Sequence, residues 1–266
     1  MPKTSYRAGD GCVLHATLTG AGPALVLLHA GGPDHRSMLP LAERFTDRHT
    51  VVVPDLRGYG RSVCTDPARY TWDRYTDDLL GLLDHLDLPR AALAGAGLGS
   101  TITLRAAAAH PDRVRAAVLI GVEDIEDDEA KAAEIRFLDA FAARVRTEGL
   151  EAGWAPVLSL LPPLVGELVR DAVPRSDPAS IAAAAAIGHD RSFRTVGELA
   201  AITVPTLVFP GTDPRHPTAL ARQLAATLPD GHLATPAIDT ALHNAEDLAE
   251  AVAPAMRAFL VAHAVR

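Results

Sequence analysis

Residues 91–100 read A-A-L-A-G-A-G-L-G-S: an apolar run of strand length, a turn with glycine at 95, 97 and 99, and the opening of a helix that continues to His110. A strand that enters a helix through a tight glycine turn is one half of a parallel strand–helix–strand unit. The flanks repeat the unit. Upstream, residues 24–28 (A-L-V-L-L) and 50–53 (T-V-V-V) are continuous apolar runs, as strands buried on both faces require. Between them Met38, Leu41, Ala42 and Phe45 space a helix over residues 36–45. Trp72, Tyr75, Leu79, Leu82, Leu83 and Leu86 share one face of a second, amphipathic helix that Leu88-Pro89 ends. Residues 13–18 alternate as an antiparallel strand, turned at residues 20–23, and residues 116–120 form the next buried strand downstream. The alternation predicts a mostly parallel, twisted sheet with helices on both faces.

After Val122 the pattern changes. Residues 124–202 hold no convincing buried strand, only helical segments such as the face of Ile135, Leu138, Ala142 and Val145, interrupted by Pro156, Pro162-Pro163, Pro174 and Pro178. An inserted helical lid over residues 124–202 is expected, on a core of residues 1–123 and 203–266. The core resumes with P-T-L-V-F-P-G at 205–211, a helix over residues 218–228, a weaker strand near residues 232–238 and a closing helix over residues 246–260.

Composition narrows the function. The chain has 266 residues, 48% of them hydrophobic, enough for one large core. The net charge of −8 comes from scattered carboxylates without a basic stripe, which argues against nucleic acid or an anionic membrane as partner. A small-molecule substrate is the expected partner, and the oligomeric state is left open. Two cysteines, Cys12 and Cys64, make neither a disulfide framework nor a paired-cysteine zinc site. Residues 1–10 lack the apolar core of a signal peptide, so a cytoplasmic location is expected. No H-E-x-x-H or close His/Asp/Glu cluster suggests a metal, and no cofactor is implied.

The glycine turn has two chemical meanings. One is a phosphate cradle: Gly95, Gly97 and Gly99 follow a strand, and Glu123 and Asp124 end the next one, close to a dinucleotide fingerprint. That reading leaves two earlier strand–helix units unexplained, and position 100 is Ser where a third glycine would fall. The other is an elbow, and several further stretches point to it. His29-Ala-Gly-Gly-Pro33, Asp55-Leu-Arg-Gly-Tyr-Gly-Arg-Ser62, Gly211-Thr-Asp213 and His243-Asn-Ala-Glu-Asp247 follow one another in the order of loops at one sheet edge. Together they resemble the α/β-hydrolase superfamily across nearly all of the chain outside the lid.

The resemblance implies the α/β-hydrolase fold, with Asp213 as catalytic acid, His243 as catalytic base, and an oxyanion hole from backbone N–H groups of Leu98 and of Gly31 or Ala30. The chain order, elbow then Asp then His, is the order of that fold. It departs at the elbow, where the family has G-x-S-x-G and this chain has Gly95-Ala-Gly97-Leu-Gly99. Gly97 thus falls at a vacated nucleophile position. Ser100 lies three residues on, about 300° around a helix, and does not reach the same point. Without a nucleophile, the chemistry left is general base catalysis with an anion hole: direct hydrolysis of an ester by water, or proton abstraction from a carbonyl compound as in a lyase, decarboxylase, cyclase or cofactor-free oxygenase. Asp34-His35-Arg36 resembles a segment of cofactor-independent ring-cleaving dioxygenases of this fold. The competing readings are a non-catalytic ligand-binding descendant and a serine esterase whose nucleophile has been replaced. Gly32, Pro33, His35, Phe137, Phe141, Trp154 and His189 are the expected pocket walls, with His216 a further candidate and Asp124 the alternative acid.

Overall fold

A computed structural model describes residues 2–263 of the chain. Eight strands form one sheet in the order β1-β2-β4-β3-β5-β6-β7-β8: β1 (Lys3–Arg7), β2 (Val13–Thr19), β3 (Ala24–Leu28), β4 (Thr50–Asp55), β5 (Ala91–Ala96), β6 (Val114–Ile120), β7 (Thr206–Phe209) and β8 (Gly231–Leu233). From β4 to β8 every neighbouring pair is parallel; β1 and β2 are antiparallel additions at one edge. The register aligns Leu28 with Gly95, Ala96 with Ile120, and Ile120 with Phe209. The loops that follow β3, β5, β6 and β7 therefore open at one edge of the sheet, the place where parallel sheets gather ligand-binding loops.

Helices cover both faces. On one lie α2 (Trp72–His85), α3 (Leu98–Ala109) and α8 (Thr218–Thr227), packed through Tyr75, Leu82, Ile102 and Leu224 against Val26, Leu93 and Val208. On the other lie α1 (Leu39–Glu43) and α9 (Ala245–Ala262), which bring Leu41, Val252 and Met256 against Leu27, Ala94 and Val118. The expected helix over 36–45 is divided into a 3-10 turn at His35–Met38 and the short α1, where Pro40 provides an N-terminal turn and cannot continue a longer ladder. The expected strand at 232–238 is three residues long and mostly exposed.

Between β6 and β7 the chain makes four α-helices, α4 (Asp128–Glu148), α5 (Leu150–Leu158), α6 (Pro163–Ala172) and α7 (Pro178–Ala184). They have a small core of their own, in which Phe141, Val145, Leu150 and Ile181 meet. The segment leaves and rejoins the core at adjacent points. Ile125 and Phe193 form a parallel bridge, with the Glu126 N–H donating to the Phe193 carbonyl at 3.0 Å. No helix among the described residues is long and apolar enough to cross a membrane.

Candidate active site

The turn from β5 into α3 places Gly97 at φ 49° and ψ −118°, a left-handed backbone that strains any residue with a Cβ. Its neighbours are glycines for a different reason. A Cβ on Gly95 would stand 2.0 Å from the Gly99 carbonyl oxygen, and one on Gly99 would stand 2.4 Å from the Leu28 carbonyl oxygen. The helix start therefore presses directly onto β3 and β5. Ser100 is buried in this turn, and its hydroxyl donates to the carbonyl of Gly97 at 2.7 Å and reaches that of Gly121 at 3.2 Å. It holds the turn to the end of β6 and has no free approach to a substrate.

The loop after β3 lies over the turn. A Cβ on Gly97 would be 3.2 Å from that of Ala30, and one on Gly31 would be 3.5 Å from the Tyr59 hydroxyl and 3.9 Å from the Leu98 Cβ. Ala30, Gly31 and Leu98 thus meet, and Leu98, as the first residue of α3, has an N–H with no acceptor inside its own helix. His29 braces this loop. Its Nε2 accepts from the Leu56 N–H at 3.0 Å, so its Nδ1 carries the proton and donates to the Ala30 carbonyl at 2.7 Å. Burial pushes the His29 pKa down, so the ring is neutral.

The sequence-based pair of Asp213 and His243 is not assembled. His243 is exposed just before α9; its backbone N–H donates to the Asp247 carboxylate at 2.8 Å, and among the described residues its ring has no partner. The cause is local: Asn244 caps α9 by accepting from the Glu246 and Asp247 N–H groups, and this tight start folds residue 243 outward. Asp213 is engaged three residues on, by His216. The backbone N–H groups of Arg215 and His216 donate to Asp213 Oδ1 at 2.9 and 3.1 Å, and the His216 Nδ1 lies 3.0 Å from Oδ2.

The other ring nitrogen of His216, Nε2, lies 3.3 Å from Oε2 of Glu123, which follows β6. The same Oε2 accepts from Arg215 Nε at 2.5 Å, and Arg215 Nη2 lies 3.6 Å from Glu134 on α4. Glu123 Oε1 points to the turn, 3.1 Å from the place a Cβ on Gly97 would take. Three elements, the ends of β5, β6 and β7, thus bring Gly97, Glu123, His216 and Asp213 together.

Charge in this cluster is set by pairing. Burial opposes ionisation of Glu123, but the Arg215 guanidinium and His216 outweigh it and hold the carboxyl at about 2. Burial likewise disfavours a charged His216, yet its contacts with the Asp213 and Glu123 carboxylates raise it to about 9. At neutral pH the ring is an imidazolium between two carboxylates, a proton donor. Asp124 does not join them. It is buried, accepts from the Thr101 hydroxyl at 2.7 Å, and is pushed well up by burial and by the Glu123 charge.

The expected walls divide. A Cβ on Gly32 would meet Val169 at 2.9 Å and the Trp154 ring at 3.1 Å, and Trp154 packs edge-on to Phe141 with ring centroids 4.8 Å apart. Pro33 is buried in the same loop. His35 is turned away to the end of β4, where Nδ1 lies 2.6 Å from Asp55, itself ion-paired to Arg61. Phe137 is 42% exposed on the outer face of α4, and His189 sits on the surface at 2.8 Å from Asp139. Neither is a wall. Tyr59 and Arg215 were not singled out from sequence, and Glu123 entered there only as an acid of the dinucleotide fingerprint. The D-x-x-H spacing of Asp213 and His216 was the available signal.

A family model described as alpha/beta hydrolase fold matches residues 23–245. An epoxide hydrolase of Caballeronia sordidicola is 38% identical over 133 residues, covering 48% of this chain and 39% of that protein. The chain spans roughly two fifths of the length of the curated relatives it matches, at 39% and 38% of the first two. Among solved structures, a thermophilic esterase from Thermogutta terrifontis, with malate bound, superposes with a TM-score of 0.83 at 27% identity, over 99% of this chain and 100% of that one. The enol-lactonase from Burkholderia xenovorans LB400 does so with 0.80 at 25% identity, over 97% and 100%.

Proposed function

The chain belongs to the α/β-hydrolase family, and from that premise we propose that it is an enzyme acting on a small, largely apolar ester or other carbonyl substrate without a side-chain nucleophile at the elbow. Gly97 stands in this reading where the family pattern has serine, and residues 124–202 act as the lid. The relatives named for hydrolysis of epoxides, esters and an enol-lactone make hydrolysis the leading reaction. Trp154 and Phe141 supply the apolar wall. The backbone N–H groups of Leu98 and of Gly31 or Ala30 hold the oxyanion that develops on the substrate carbonyl, favoured by the N-terminal end of α3.

The carrying observation is His216, held between Asp213 and Glu123, whose Oε1 faces Gly97. It replaces His243 as the proton-transfer residue. Because His216 rests as an imidazolium, its first act is to donate a proton to the departing oxygen, while Asp213 fixes the ring. With aryl acetates as substrates, His216→Ala is expected to lower kcat by ~100-fold or more, within the usual range for a lost general acid. His243→Ala should stay within about threefold of the parent. The wild-type rate should fall as pH rises through about 9, where the imidazolium loses its proton. A rate that climbs through that pH, or a larger loss from His243→Ala than from His216→Ala, overturns the assignment.

A further inference from the structure

Glu123 has two unlike oxygens. Oε2 is bound by Arg215 at 2.5 Å and faced by His216 at 3.3 Å, whereas Oε1 receives no hydrogen bond among the described residues. That open oxygen is aimed at the turn, 3.1 Å from where a Cβ on Gly97 would be, and the side chain is only 10% exposed. A glycine at 97 and a carboxylate at 123 are complementary: the space one residue leaves, the other faces. The nucleophile space of the elbow is therefore not simply empty, because an acceptor oxygen from the next strand borders it.

We propose that Glu123 is a catalytic residue, whose Oε1 binds and deprotonates the water that attacks the substrate in place of an elbow side chain. This rests on the reading of His216 as the acid and supplies the other half of the reaction. The water oxygen forms a bond to the acyl carbon as one of its protons passes to Oε1, and the carbonyl electrons move onto the oxygen held by the backbone donors. Collapse of that adduct breaks the bond to the alcohol, which leaves with the proton of His216. The proton on Glu123 Oε1 is then lost to solvent and the neutral imidazole takes one back from solvent, restoring both groups. Ester and water have become acid and alcohol, and no covalent acyl-enzyme is formed.

The charged and titratable groups that surround these two are Arg215 and Asp213 from the loop after β7, Asp124 beside Glu123, Glu134 from α4, and the Tyr59 hydroxyl from the loop after β4. The Arg215 pair keeps Glu123 ionised, which makes it ready to accept a proton but a weak base. Its loss is accordingly expected at the lower end of the range for general base catalysis.

A series of aryl acetates with leaving groups of different basicity tests the two halves separately. Glu123→Gln should lower kcat by ~100-fold with KM within about threefold, by the same factor for good and poor leaving groups, since the base acts on water. The loss from His216→Ala should grow as the leaving group becomes more basic. Glu123→Ala provides a second variant, in which added formate should restore ~10-fold of the lost rate, a rescue that a merely structural carboxylate does not give. Kinetics of Glu123→Gln matching the parent, a trapped acyl-enzyme, or Glu123→Ala indifferent to formate overturns the role of Glu123 and leaves that of His216 standing. A leaving-group-independent loss in His216→Ala removes the acid instead, and this scheme with it. Wild-type protein inert to the whole series removes the functional reading and the role of Glu123 together.

Discussion

On the proposed mechanism, Gly97 is the position on which the chemistry turns. Its φ of 49° and the closeness of Glu123 Oε1 and Ala30 to the missing Cβ, at 3.1 and 3.2 Å, mean that a side chain there is both strained and crowded. Gly97→Ser is expected to cost about 1–3 kcal/mol in urea unfolding, the usual range for a non-glycine residue forced into such a backbone. It should also give no burst of acyl-enzyme, because the new hydroxyl would contend with the Glu123 carboxylate for one space. A stable, burst-forming serine variant would show that the turn is a dormant serine hydrolase site. The glycine turn at position 97 was legible in the sequence because it follows an apolar run of strand length. The histidine proposed for proton transfer was not. His243 lay in the stretch that resembled the family, while His216 pairs with Asp213 through a turn three residues long, and only its distance from Glu123, which is remote in sequence, distinguishes it from any capped loop.

Among the elements, the buried strands β3, β5 and β6 were readable because a continuous apolar run of five or six residues has few other uses. β1 was not, since K-T-S-Y-R buries one side chain, Tyr6, and depends on pairing with β2 to exist. β8 was overextended because its sequence is apolar beyond the three residues that β7 can pair. The helical segment meets the loop after β3 through one well-formed ion pair, from Arg175 Nε to Asp34 Oδ2 at 3.0 Å, and Arg175 also holds Asp171. Asp34 in turn accepts the Arg36 N–H and fixes the turn that follows the donor loop. Arg175→Gln should change global stability by no more than ~1 kcal/mol, as for partly exposed pairs. Amide exchange should nevertheless quicken in α6 and α7 and in residues 30–38. Unchanged exchange in both places would separate the segment from the loop and remove this contact as their coupling.

For the molecule as a whole, a buried ion cluster at the start of the loop after β4 ties distant parts of the chain together. Arg57 is fully buried and bonds Asp78 at 2.7 and 2.8 Å and Asp10 at 2.8 Å, joining the loop after β4 to α2 and to the turn before β2. Burial lifts the Asp78 pKa to about 6 in spite of the guanidinium. A carboxyl whose folded pKa is raised is favoured in its neutral form: its contribution is full below the unfolded value and is lost as pH rises through about 6. Arg57→Met should therefore be tolerated better in acid, where Asp78 carries a proton, than at pH above 7. There the loss should approach about 3–5 kcal/mol, the cost of leaving a buried charge unpaired. Urea titrations on both sides of that pH check it, and equal losses would mean that Asp78 does not titrate with the fold.

The bridge between Ile125 and Phe193 has a consequence for how such a molecule can change. Because the helical segment departs and returns through neighbouring backbone, its ends are already together, and a shorter or foreign segment would add little closure entropy when spliced there. Whole segments can then be exchanged between related chains as single units. On the proposed function, with this segment as lid, substrate range would then shift by transplantation in large steps, while the sheet and its edge keep their geometry.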